Sequence, residues 1–176
     1  MIIGIDPGVQ GCITYNDEEG NLLFKFLDTF KVGKVWSVKD MNDFFSSFST
    51  ENIHIALEDV GPDPIWTAKT NWELSRCKAL LEGVITAHKI PLTLVKPKAW
   101  QKEMFEGVPE MRKPSKTNIK GVLVKGRLET KLMSVIATQR LLPSLDVRKS
   151  TRAKNAHDGK TDSILIREYI LRKIKA

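Results

Sequence analysis

The chain has 176 residues, of which 41% are hydrophobic and 28% charged, with a formal net charge of +7. That length suits one domain with a substantial core and leaves no room for a second catalytic domain. The composition is that of a globular protein, no apolar stretch is long enough to span a bilayer, and the basic balance points to a polyanionic partner, nucleic acid ahead of membrane.

In chain order, Ile2, Ile3 and Ile5 predict a short buried strand that Pro7-Gly8 stops at Asp6. Taken alone, Asp6 reads as a turn residue whose side chain bonds nearby N–H groups. Nothing before the strand resembles a signal peptide, which predicts a cytoplasmic location with Cys12 and Cys77 reduced and buried. Residues 11–14 and 22–27 are apolar stretches around a polar turn, giving two further antiparallel strands. Met41, Phe44, Phe45 and Phe48 fall at helical spacing over residues 38–48. Residues 53–58 alternate and end in Glu58, before Gly61-Pro62 and Asp63-Pro64 break the chain.

Leu74, Cys77, Leu81, Val84 and Ile85 predict a long helix over residues 66–88, followed by a fifth strand over 91–95 and a short helix with Trp100 over 98–105. Residues 106–126 lose periodicity and gain Pro, Gly and Lys, which predicts a mobile basic loop. From Arg112 to Lys131 there are seven Lys or Arg residues against one acid. Leu128 to Leu142 form another helix, ended by Pro143, and residues 162–174 the last one. Three antiparallel strands, a helix, a strand, a long helix, a strand and C-terminal helices make an α/β chain in the order of an RNase H-like fold. The expectation is one domain over residues 1–176, a mixed five-stranded sheet flanked by helices.

If the first and fourth strands are adjacent and parallel, Asp6 and Glu58 meet at their C-terminal ends, where open α/β sheets bind ligands. Two such acids repel unless a divalent cation neutralises them, and one or two more carboxylates complete an oxygen-rich Mg²⁺ or Mn²⁺ site. Asp158 and Asp162 are four apart, on one helical face if the last helix includes both. Asp59 points to the opposite face of its strand.

The stretches GIDPG around Asp6, IALED around Glu58, LVKPKAW at 94–100, KLMSVIATQRLLP at 131–143 and HDGKTDSILI at 157–166 resemble the RuvC-like Holliday junction resolvases, particularly the short bacteriophage versions. The resemblance spans nearly the whole chain. It implies a crossover junction endodeoxyribonuclease, a homodimer nicking paired strands of four-way or other branched DNA without a nucleotide cofactor or a membrane. It also implies two Mg²⁺ ions per active site, or Mn²⁺ as substitute, on Asp6, Glu58, Asp158 and Asp162. One departure is that the last two acids are three apart in the bacterial resolvases and four apart here, with a glycine between them. Lys98, Lys102, Lys113, Lys116, Lys120 and Lys131 are the expected phosphate contacts. His157 has two readings, a proton-transfer or phosphate contact and an ordinary helix-start residue. Trp66, Trp72 and Trp100 also have two, base stacking and burial or interface packing, and the helix bearing Trp66 and Trp72 is the expected dimer surface. A non-catalytic branched-DNA-binding protein of the same fold is the alternative. An actin-like ATPase needs a second domain, and a DEDD-type exonuclease needs two acids on the first strand.

Overall fold

In the computed structural model, which describes residues 1–8, 10–48, 52–117 and 121–175, the chain begins with β1 (Ile2–Asp6), β2 (Cys12–Asn16) and β3 (Leu22–Phe26). A 3₁₀ turn (Leu27–Phe30), a small hairpin of β4 (Lys31–Val32) and β5 (Val35–Trp36), and helix α1 (Val38–Ser46) follow. Then come β6 (His54–Glu58), α2 (Ala68–Ala87), β7 (Leu92–Val95), α3 (Pro97–Met104), β8 (Lys116–Thr117), β9 (Leu123–Val124), α4 (Thr130–Leu141) and α5 (Asp158–Lys175).

The main sheet has the order β3-β2-β1-β6-β7, antiparallel from β3 to β1 and parallel from β1 through β6 to β7. This is the mixed five-stranded sheet flanked by helices that is expected from the order of elements. Its register aligns Ile5 with Leu57 on the parallel pair. Alternation along the strands divides the core. Ile3, Ile5, Ile13, Ile55 and Leu57 face Met41 and Phe45 of α1 and Cys77, Leu81 and Ile85 of α2. On the other face, Ala56 and Val95 pack with Trp100, Met104, Ala137, Leu165, Ile166 and Ile170. Each fully buried aliphatic side chain contributes about 1.5–3 kcal/mol. Both cysteines are buried and unpaired, as expected.

Gly4 explains how α5 comes so close to the sheet. A Cβ there would stand 2.2 Å from the Ser163 carbonyl oxygen and 2.6 Å from Arg167 Cβ, so only glycine allows this approach. The seam is closed by a 2.6 Å hydrogen bond between the Thr14 and Ser163 hydroxyls and by Arg167 Nε donating to the Ile2 carbonyl at 2.9 Å. No described helix is long and apolar enough to cross a membrane.

Three details differ from expectation. The described part of residues 106–126 contains paired backbone where a loop is expected: β8 and β9 pair, Arg112 bridges Leu128, and Arg112 Nη1 donates to the Gly126 carbonyl at 2.9 Å. Strands of two residues are too short to show alternation in a sequence. Helix α5 begins at Asp158 rather than near Asp162, and the 3₁₀ turn and β4-β5 hairpin separate β3 from α1.

Candidate active site

The parallel pairing of β1 and β6 brings Asp6 and Glu58 to the same end of the sheet, on the face covered by α5. Asp6 has the turn role read from the sequence and also faces a cleft. Its Oδ1 accepts a 2.8 Å hydrogen bond from Gly8 N–H, which shapes the Pro7-Gly8 turn, while the carboxylate also lines a cleft of about 510 Å³. Asp158, Gly159 and Asp162 from the first turns of α5 line the same cleft, with Lys131 from α4 and Gln10, Trp66, Thr70 and Leu74. The α5 dipole favours acids in its first turn.

Gly159 is the device that lets helix and strand converge. A Cβ there would lie 2.2 Å from the Gln10 carbonyl oxygen and 3.0 Å from Asp6 Oδ2. The glycine between the two aspartates is therefore required by the approach of α5 to the end of β1. Gly159→Ala is expected to destabilise the fold by about 1–3 kcal/mol, the usual cost of overpacking. Denaturant unfolding checks it, and an unchanged midpoint would mean that the turn after β1 yields freely.

His157 caps α5: its Nδ1 accepts from Lys160 N–H at 3.2 Å, and its carbonyl accepts from the Lys160 and Thr161 N–H groups. Burial and the nearby Lys149 charge push its pKa down, which suits a neutral capping ring. The helix-start reading of His157 is the one the structure supports.

The electrostatics are those of acids forced together. Burial pushes Asp6 up to about 6, with Asp158 adding to the rise while the Gly8 N–H and Lys131 oppose it. Burial and then the Asp6 charge push Glu58 up to about 8, against the Trp100 hydrogen bond. Burial and then the Asp6 charge raise Asp162 well above its ordinary value, against a Ser134 hydrogen bond, and its Oδ1 is buried without a hydrogen-bond partner.

Glu58 is set apart from the other three. It is only 8% exposed, does not line the cleft, and its Oε1 accepts from Trp100 Nε1 at 2.8 Å. Trp100 is thus a core residue bonded to a site carboxylate and cannot stack on a base, whereas Trp66 and Trp72 are 41% and 66% exposed. Lys131, an expected phosphate contact, forms an ion pair with Asp158 at the cleft. Lys98 and Lys102 are exposed on α3, Lys113 and Lys116 are exposed in the β8 region, and Lys120 lies outside the described residues. Asp59 turns to the other face and pairs with Lys78 at 2.6 Å.

Among the described residues no group of three or more His, Cys, Asp or Glu stands ready in metal-ligating geometry. The chemistry of the donor set nevertheless fits a hard divalent cation: all donors are carboxylate oxygens, they raise one another's proton affinity, and one buried oxygen is unpartnered. The Trp100 bond carries no sequence signal, because it joins two elements through one indole N–H.

No family model matches the sequence, and no curated protein matches it. Among solved structures, the yeast mitochondrial Holliday junction resolvase Ydc2 is similar at 18% identity and a TM-score of 0.48, over 97% of this chain and 77% of that one. A likeness at that level does not bear on activity.

Proposed function

We propose that the protein is a metal-dependent, structure-selective endonuclease that resolves four-way DNA junctions by paired nicks. The observation that carries this reading is the convergence of Asp6, Asp158 and Asp162 on one cleft, with Glu58 behind them and a lysine at the mouth. Asp6, Glu58, Asp158 and Asp162 would hold two Mg²⁺ ions, or Mn²⁺ in their place. When bound, such ions supply a nucleophilic water at neutral pH and stabilise the leaving oxygen of an in-line displacement. No side-chain nucleophile is then needed. Lys131, already at the cleft, is placed to neutralise a phosphate brought against the acids. Lys98, Lys102, Lys113 and Lys116 present exposed ammonium groups to the DNA backbone, adding affinity without reading bases.

Pairing of nicks requires two sites. The exposed Trp66 and Trp72 near the start of α2 favour that helix as the two-fold dimer surface, matching a two-fold substrate. A synthetic four-way junction incubated with Mg²⁺, beside linear, Y-shaped and flap DNA of matched sequence, tests the activity. Symmetric nicks in the junction are expected, with sedimentation giving a dimer. Tight junction binding without cleavage in either metal would instead establish the non-catalytic alternative.

The basic segment has its own expected signature. Lys113→Ala and Lys116→Ala together should weaken binding to every junction sequence about equally and flatten the log–log salt dependence by roughly 0.7–0.9 for each phosphate that is no longer neutralised. Their effect on melting should be small, about 0.5 kcal/mol or less, because both side chains are exposed. Titrations at several salt concentrations read the slope, and an unchanged slope would take the segment out of the DNA interface.

A further inference from the structure

We infer that Trp100 is a positioning residue of this site, its indole N–H taking one oxygen of Glu58 and fixing the plane of the carboxylate. The inference rests on the metal-dependent reading above and assigns a role to a residue outside the cleft.

Trp100 is fully buried, and its Nε1 donates to Glu58 Oε1 at 2.8 Å. Burial alone does not force that bond. Trp36 is also buried, and its Nε1 has no partner, so this fold accepts an unpaired indole N–H. What distinguishes Trp100 is its place beside the end of β6, packed into the core on the face that carries Glu58. It sits on α3 among Val95, Met104, Ala137 and Leu165, with the Phe105 ring edge-on at 5.7 Å. A donor held this firmly dictates where its acceptor lies, and Glu58 is correspondingly fixed from behind. An indole N–H gives one hydrogen and accepts none, so it favours a carboxylate over a carboxylic acid at this position. Partners that orient a ligand in this way typically change metal affinity by 10–100-fold when removed.

The test replaces Trp100 alone with benzothienylalanine, in which sulfur stands where N–H was and ring shape is kept. Trp100→Phe is the natural-residue counterpart. Mn²⁺ affinity is read by calorimetry, with cooperative melting in EDTA as the control for folding. Both variants should bind Mn²⁺ on the order of 10–100-fold more weakly. A merely structural tryptophan would leave the affinity of the benzothienyl protein unchanged. Wild-type affinity in that protein would overturn the positioning role alone. A wild-type protein that binds no Mn²⁺ would overturn the metal site and this role with it.

Discussion

Asp6→Asn and Glu58→Gln are each expected to abolish junction cleavage while leaving DNA binding intact, and both to raise the melting temperature measured in EDTA. The two effects have one origin. Each substitution removes a charge that the proposed cation would need and that its neighbours repel, since Asp6 raises the proton affinity of both Glu58 and Asp162. The amides keep the local hydrogen bonds, because Asn retains an acceptor for Gly8 N–H and Gln one for Trp100 N–H. Like charges at close range in partly screened surroundings cost on the order of 1–4 kcal/mol. Each kcal/mol recovered is about 2–4 °C at this chain length. A cleavage gel and a thermal melt decide the matter together. Cleavage near the wild-type level would remove the metal site, and a lower melting temperature in EDTA would mean that the carboxylates stabilise the fold more than they strain it.

The same repulsion sets a pH dependence that metal should reverse. Asp6 and Glu58 ordinarily titrate at 3.8 and 4.5, and in the folded protein they are pushed up to about 6 and about 8. Between those limits the folded state holds more protons than the unfolded one, so the stability these groups contribute is present at low pH and lost as pH rises through the folded values. Metal-free protein should therefore lose stability from about pH 6.5 to pH 8. His157, whose pKa is lowered, acts in the opposite direction, but its contribution is complete above its ordinary value of 6.5. The proposed cation would bind the ionised carboxylates, so stabilisation by Mg²⁺ or Mn²⁺ is expected to grow with pH and to reach ~2.7 kcal/mol at a hundredfold excess over Kd. Melting with and without EDTA at pH 5.5 and pH 8 measures it. Equal stabilisation at both pH values would contradict the carboxylate site, and Glu58→Gln should flatten the metal-free decline.

Much of this was legible in the chain itself. Alternation in residues 53–58 and the apolar spacing of Leu74, Cys77, Leu81 and Ile85 are local signals, and they located β6 and α2. The order of those elements is enough to bring Asp6 and Glu58 together. Three things escaped. The β8-β9 pairing involves strands of two residues, which have no period to detect. The start of α5 was hidden because its cap is a histidine ring nitrogen, whereas capping is read from Ser, Thr, Asp or Asn. The partners of Glu58 and Asp158, Trp100 and Lys131, come from α3 and α4, and such pairings depend on packing angles that no spacing rule encodes.

The Gly4 seam also orders events in time. The Thr14–Ser163 hydroxyl pair that helps to close it joins residues 149 positions apart, so the acidic cleft is among the last features a growing chain can complete. At synthesis rates of ~5–20 residues per second, roughly 5–20 s separate the emergence of Glu58 from that of Asp158. Throughout that interval the ribosome-bound chain carries two of the four acids and the bare Gly4–Ala56 face of the sheet, without the helix that supplies the others. Closing so long a loop is entropically slow. A centre built this way stays incomplete until translation has delivered α5, and the uncovered sheet face is where a chaperone would be needed meanwhile.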